Sequence, residues 1–294
     1  LKAKTIIKDL PKLLKKTGVN WLDSGPFELS AIVAYYAILS LPALIVIILN
    51  LVGNIWGREI VQGELLDEIT NAVGIQTAES IRVMMLDRGD ESVSIFTTII
   101  GIGTLIYGST GVFYQLQAAF DKIWKVKENP NTNGFLKIIF DRLKSFGFIL
   151  IIGFLLLISF VLTALISAFS KRIEVFVPDN LFEYVYVIDF LMSILFIYIL
   201  FAAMFKYLPG KNVRWRAVKV GAGLTAILFV IGKYLLAWYF NTMEPGSTYG
   251  AAGSVILIML WVSYSSLILF FGANFTKVYA DMYLNNKDDE VIIK

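Results

Sequence analysis

The sequence predicts an all-α polytopic membrane protein, a six-transmembrane-helix bundle with a helical outer hairpin between the first two spans. Three observations predict it. Six apolar stretches, at roughly 28–55, 93–115, 143–169, 184–207, 215–240 and 249–280, take up most of the 294 residues. Each exceeds the roughly 20 residues with which an α-helix crosses a hydrocarbon core about 30 Å thick. Lysine and arginine, finally, gather at alternate connections between these stretches.

Lys2, Lys4, Lys8, Lys12, Lys15 and Lys16 precede the first span, and Lys122, Lys125, Lys127, Lys137, Arg142 and Lys144 lie between the second and third. Lys206, Lys211, Arg214, Arg216 and Lys219 mark the fourth–fifth junction, and three more lysines lie from Lys277 onward. The opposite side holds only Arg58, Arg82, Arg88, Lys171 and Arg172, while Lys233 falls inside a span. Cytoplasmic loops retain positive charge, so both termini are expected in the cytoplasm, with the chain crossing the membrane several times.

The whole chain, 1–294, then reads as a single membrane domain. Residues 1–27 form a cytoplasmic amphipathic N-terminus, 56–92 an extracytoplasmic helical loop, 116–142 a cytoplasmic loop and 281–294 a cytoplasmic tail. Neither large loop can hold a conventional soluble enzyme domain. The net charge of +3 says less than its distribution. With no cysteine and no histidine, the chain lacks thiolate metal ligands, a cysteine nucleophile, and the commonest general base and metal ligand. No cleavable signal peptide is expected, because the first apolar run is too long and the residues before it are Lys-rich.

Along the chain, Ile6, Ile7, Leu10, Leu13 and Leu14 oppose Lys8, Lys12, Lys15 and Lys16. That pattern predicts a short basic helix on the membrane surface, the plain alternative being a solvated helix docked on the bundle. Trp21 follows as an interfacial anchor. The first span contains Pro42, which predicts a kink or an unwound turn near Ser40, just after Tyr35 and Tyr36. The outer loop has a net charge of −5. Ile60, Val61, Leu65, Leu66, Ile69 and Val73 repeat there at helical spacing, and a second helix is expected after Thr77. Gly101, Thr104, Gly108 and Gly111 give the second span a small-residue face for close helix packing.

Four blocks carry a family resemblance: AYYAILSLPAL (34–44), YGSTGVFYQLQAAFDKIWKVK (107–127), KYLPGKNVRWRAVKVGA (206–222), and GKY (232–234) leading into YGAAGSVILIMLWVSYSSLILFFGANFTKVYA (249–280). In this order they resemble the BrkB/YihY family of bacterial inner-membrane proteins, sometimes labelled ribonuclease BN. The resemblance implies a six-helix inner-membrane protein and roles in envelope integrity, serum resistance, or movement of lipid or lipopolysaccharide precursors. The family usually carries Glu where this chain has Asn274, so a proton-carrying carboxylate is not available there. The ribonuclease label conflicts with the chemistry of the sequence. Metal-dependent RNA hydrolysis needs a His/carboxylate cluster, whereas Asp121, Glu128 and Asp141 are interspersed with lysines and no histidine exists.

Ionisable groups inside spans are costly and tend to mark function. Lys233 and Asp189 have predicted depths of roughly 12 and 9 Å from the outer ends of the fifth and fourth spans. They are expected either to pair or to share a polar cavity, the plain alternative being that each snorkels separately to the interface. Tyr35, Tyr36, Ser40 and Asn274 are the further candidates for a substrate or translocation cavity. Arg142, Lys144, Arg214 and Arg216 are candidates to face lipid headgroups.

Two functions from different classes fit. One is transport or flipping of a lipid or other amphiphile, with anionic phospholipid or a lipopolysaccharide precursor as partner. The other is a non-transporting scaffold or envelope-integrity factor that binds a partner protein. No enzymatic activity, cofactor, metal or nucleic acid is expected, and self-association into a homo-oligomer is left open. An amphiphile-sized cavity open to lipid separates the first reading from the second.

Overall fold

A computed structural model describes residues 3–51, 95–126, 182–243 and 253–284, with the single positions 63, 66, 67, 70, 79, 82 and 245. Among these residues all regular structure is helical: α1 (Ala3–Asp23), α2 (Pro26–Leu51), α3 (Ile95–Trp124), α4 (Phe182–Tyr207), α5 (Trp215–Met243) and α6 (Gly253–Tyr283). Five of the helices coincide with expected spans, the first, second, fourth, fifth and sixth. The third expected span, 143–169, lies outside the described residues, as does most of 56–92. The six described positions in that outer loop are all helical, and Arg82 Nε meets Glu79 Oε2 there at 3.0 Å, one turn apart.

Among the described residues, two helical segments are long and apolar enough to cross a membrane, Trp215–Met243 and Val255–Tyr283, each of 29 residues. Each is about 44 Å long at 1.5 Å per residue, more than a hydrocarbon core requires. The exposed surfaces of α5 and of the shorter apolar α4 agree with that environment. Ile227, Ile231, Leu235 and Trp238 form an exposed stripe at helical spacing on α5, and Leu191, Leu195 and Ile199 form another on α4. Continuous apolar stripes of this kind are a liability in water and ordinary against lipid.

The connection from α1 to α2 follows from three residues. Ser24 ends α1, its amide donating to the Asn20 and Trp21 carbonyls and its hydroxyl to Trp21 O at 2.6 Å. Gly25 adopts φ 70°, the left-handed conformation that a glycine takes without steric cost. Pro26 opens α2, where a missing N–H goes unmissed.

The chain forms two compact units. The first comprises Leu1–Ser24, Phe120–Val230 and Leu269–Lys294. Here α1 is docked by Leu13 and Thr17, both fully buried, while Leu10, Leu14 and Leu22 stay exposed. One face of α1 therefore packs on protein, and an adjacent one remains apolar and exposed. The core is aromatic, with Phe205 between Phe120 and Phe201 at centroid distances of 5.9 and 6.2 Å, and Trp21 edge-on to Phe271.

Within this unit α5 and α6 cross through a reciprocal contact. Gly221 lies against Thr276, and Gly272 lies against Thr225 and Phe205, so closely that neither glycine has room for a Cβ. Thr225 Oγ1 donates to Gly221 O and Thr276 Oγ1 to Gly272 O, each at 2.7 Å. Each hydroxyl is thus satisfied within its own helix while the side chain packs on the other helix's glycine. The same Gly-x-x-x-Thr spacing on two antiparallel helices produces the symmetry.

The second unit comprises Gly25–Ala119 and Ile231–Ile268. Its α2–α3 crossing uses the glycines expected of the second span. Gly108 faces the backbone of Ser40, with the nitrogen 2.9 Å from a Cβ position, and Gly111 lies under the Tyr36 ring. Position 42 is helical and α2 runs on to Leu51, so no unwound turn interrupts it.

Candidate functional site

In the second unit, three of the candidate cavity residues lie on consecutive turns of α2. Tyr36 packs on Gly111 and approaches Tyr107 at 6.2 Å between centroids. Ser40 Oγ donates to Ala37 O at 2.9 Å, which absorbs its hydroxyl into the helix. Tyr35, edge-on to Tyr36, is exposed. These residues build a tight helix crossing with one outward-facing tyrosine.

Lys233 lies on α5 on the face that also buries Ala222, Ala226 and Phe240. Its side chain is half-buried and its Nζ stands 5.8 Å from the ring centroid of Tyr234. The preceding Gly232 is packed under Ile268 and Tyr264. An aromatic face at the distance of Tyr234 stabilises a cation in a poorly hydrated setting. Asp189 is part of α4, but its side chain lies outside the described residues. Arg142 and Lys144 also lie outside them, and Gly101 is placed in α3 without described surroundings.

Asn274 belongs to the first unit. It is 2% exposed and its Nδ2 donates to Phe270 O at 2.9 Å. The side chain is packed in the core beside the α5–α6 crossing, with its amide turned back onto its own helix.

The lysine-bearing helix ends of the first unit are ordered by a set of polar contacts. Lys206 Nζ donates to Asn212 Oδ1 at 2.6 Å and Val213 O at 2.7 Å, and lies 5.5 Å from the Trp215 ring. Its charge therefore shapes the α4–α5 turn. Asp121 Oδ1 accepts from the Gly210 amide at 2.7 Å, joining the end of α3 to that turn. Arg214 Nη1 donates to Leu284 O, capping a carbonyl at the end of α6. Tyr283 OH donates to Asp9 Oδ2 at 3.2 Å and ties α6 to α1. Arg214, a candidate to face headgroups, makes this bond while remaining exposed, and Arg216 is exposed as well.

These contacts gather further cations that no local motif connects. Lys125 ends α3, Lys211 lies in the α4–α5 turn, and Lys277 lies two turns before the end of α6. Lys277 is close enough to Lys125, Lys211 and Asp281 for their charges to act on it. Among the described residues, no group of three or more His, Cys, Asp or Glu side chains comes together as a metal site would require.

Comparison with known proteins bears on the same blocks. The model of the family described as Virulence factor BrkB matches residues 20–291. A UPF0761 membrane protein of Glaesserella parasuis is 27% identical over 118 residues, 40% of this chain and 42% of the relative. Another, of Mannheimia succiniciproducens, is 34% identical over 90 residues, 30% of this chain and 31% of the relative. These two matches each span less than half of the relative's length. A longer match is to YfkH of Bacillus subtilis, whose name calls it ribonuclease-like: 26% identity over 251 residues, 83% of this chain and 86% of that protein. No solved structure matches.

Proposed function

The chain belongs to the BrkB family of membrane proteins, and on that footing we propose that it moves a lipid or other amphiphile between the leaflets of the bacterial inner membrane. In this reading six helices span the bilayer with both termini in the cytoplasm, residues 56–92 lie outside, and no enzymatic step is involved. The partners are membrane lipids, an anionic phospholipid or a lipopolysaccharide precursor among them.

The observation that carries the reading is Lys233. A helix of 29 residues, apolar enough to cross a membrane, holds this ammonium half-buried on its packing face. An intramembrane cation is costly and is retained where it meets an anionic group or a hydrated path. The proposed role is to receive the anionic headgroup of the substrate, for which a polar surface suffices and a proton-relaying carboxylate is unnecessary. Asp189 is the proposed companion that balances the charge between transport events.

The test is lipid translocation by the full chain in proteoliposomes, read with a headgroup-labelled anionic phospholipid. Lys233→Met keeps length and inserts readily, and is expected to abolish translocation. Lys233→Arg keeps the charge in a planar group and is expected to retain part of it. Parental rates in both variants would overturn the proposed role. The topology is tested separately, because the native chain has no cysteine. A single cysteine at Gln62 is expected to react with an impermeant reagent from outside. Labelling only from the cytoplasm would reverse the orientation.

A further inference from the structure

Lys125, Lys211 and Lys277 come from segments up to 152 positions apart in the chain, yet the fold holds them together. The Asp121–Gly210 hydrogen bond joins the end of α3 to the turn in which Lys211 immediately follows Gly210. The Arg214–Leu284 bond joins the far side of that turn to the end of α6, two turns beyond Lys277. Lys277 in turn lies within Coulombic reach of both other lysines and of Asp281. Three cations against two carboxylates, Asp281 and the Asp121 that accepts from Gly210, leave a local excess of positive charge, and gathering like charges is unfavourable unless an anion completes the group.

The position of Lys125 sharpens the point. The helix ends in a Schellman arrangement, with Val126 N donating to Asp121 O at 2.9 Å and Lys125 N to Lys122 O at 3.2 Å. The residue at this left-handed position is ordinarily glycine, yet here a lysine occupies it at φ 50°. It is the one non-glycine residue with positive φ among the described residues. The conformation projects a cation from a rigid helix end at a steric cost that glycine would avoid.

The surroundings favour a headgroup. Tyr207 and Trp215, 59% and 47% exposed, bracket the turn that carries Lys211 and meet edge-to-face at 6.3 Å. Exposed aromatics beside lysines are the pairing found where acyl chains give way to headgroups.

We propose that Lys125, Lys211 and Lys277 form a binding site for a phosphate-bearing anion, with the aromatic pair Tyr207 and Trp215 placing it at the level of lipid headgroups. The site supplies a substrate class, a phosphate ester, to the lipid-handling reading on which it builds, but binding here does not require transport.

The test measures binding alone, so its failure is separable from failure of the transport reading, which the Lys233 variants decide. Full chain in a neutral detergent is titrated with phosphatidylglycerol, phosphatidylcholine and soluble glycerol 1-phosphate, and bound ligand is counted by native mass spectrometry. Lys125→Gly, Lys211→Gln and Lys277→Gln are compared with Lys219→Gln, an exposed cation outside the group. Lys125→Gly removes the ammonium while relieving the left-handed strain, so loss of fold cannot explain its effect. Each of the three is expected to weaken phosphatidylglycerol binding about fivefold, the weight of one basic residue at an anionic lipid surface. Lys219→Gln should change it less than twofold. Competition by glycerol 1-phosphate shows that the phosphate itself is read. Binding of glycerol 1-phosphate without phosphatidylglycerol keeps the site and assigns it to a soluble source. Equal losses in Lys219→Gln and the group, or no binding of either phosphate ligand, would overturn the site.

Discussion

Replacing Gly221 by alanine tests the α5–α6 crossing at its tightest point. A Cβ at Gly221 would overlap Thr276 Oγ1, with Thr276 Cβ 2.9 Å and Cα 3.3 Å behind it. The hydroxyl cannot swing away freely, because it is bonded to Gly272 O at 2.7 Å. The helices must therefore part or Thr276 must abandon its rotamer. Overpacking of this kind costs about 1–3 kcal/mol, of which the better helix propensity of alanine returns roughly 0.5–1. At roughly 2–4 °C per kcal/mol for a chain of this general size, Gly221→Ala should lower the unfolding midpoint by a few degrees. Intrinsic tryptophan fluorescence of the full chain in detergent reads it, as the chain has six tryptophans. Thr276→Ala alone removes the hydroxyl and should cost about 1 kcal/mol. In the double variant the new methyl enters the vacated space, so the losses should fall short of their sum by about 1 kcal/mol or more. Losses that add to within about 0.5 kcal/mol would refute the reciprocal packing. The mirror cycle, Gly272→Ala with Thr225→Ala, should recover less, since Phe205 Cζ also stands 2.9 Å from that position.

Three further outcomes follow from individual environments, all read as midpoint shifts in the same assay. Gly108→Ala meets the Ser40 backbone, with its Cα at 3.0 Å, and should destabilise by about 1–3 kcal/mol; Gly103→Ala, with nothing within 4 Å, should be neutral or stabilising by about 0.5–1 kcal/mol, and the reverse order would contradict the α2–α3 crossing. Lys125→Gly should raise the midpoint by an amount corresponding to about 1 kcal/mol, and a decrease would deny the strain. Asn274→Asp removes the donor to Phe270 O and buries a carboxylate in the core, so it should cost more than Asn274→Leu, which removes the polar group altogether; equal losses would show that the side chain is not buried as described.

Helix positions were legible in the sequence and helix rotations were not. The apolar runs located α2, α3, α4, α5 and α6 because length and lack of charge suffice to mark a span. They could not say which face of α5 meets α6, since lipid-facing and protein-facing residues are alike apolar and no periodic contrast separates them. The exposed Ile227, Ile231 and Trp238 and the buried Val218, Ala222 and Ala226 illustrate this. A signal was nevertheless present: Gly-x-x-x-Thr occurs at 221–225 and again at 272–276, and the pair meets in the fold. The Gly108 and Gly111 face was readable for the same reason, small residues at a spacing of three. Arg214 shows that composition marks a cation but not its contacts, here a bond to Leu284 O. The meeting of Lys125, Lys211 and Lys277 left no local trace, because their proximity depends on which helix ends the Asp121 and Arg214 contacts join.

That division of labour bears on function. Between membrane helices no hydrophobic drive favours association, since lipid tails are as apolar as the side chains, so close packing at small residues must hold the spans. In the first unit such packing lies along α5 and α6, whereas polar bonds tie their ends: Asp121 to Gly210, Arg214 to Leu284, and Asp9 to Tyr283. A cation displayed from a tied end is already ordered, and a ligand that meets it need not supply the cost of fixing a long side chain's anchor point. Lys125, on a completed helix cap, and Lys211, in a turn braced on both sides, are placed in this way. Lysines spaced along an untied loop would attract the same anions through their field alone, with every basic residue contributing alike. The braced arrangement instead makes three particular lysines unequal to their neighbours, and that inequality is what the comparison with Lys219 measures.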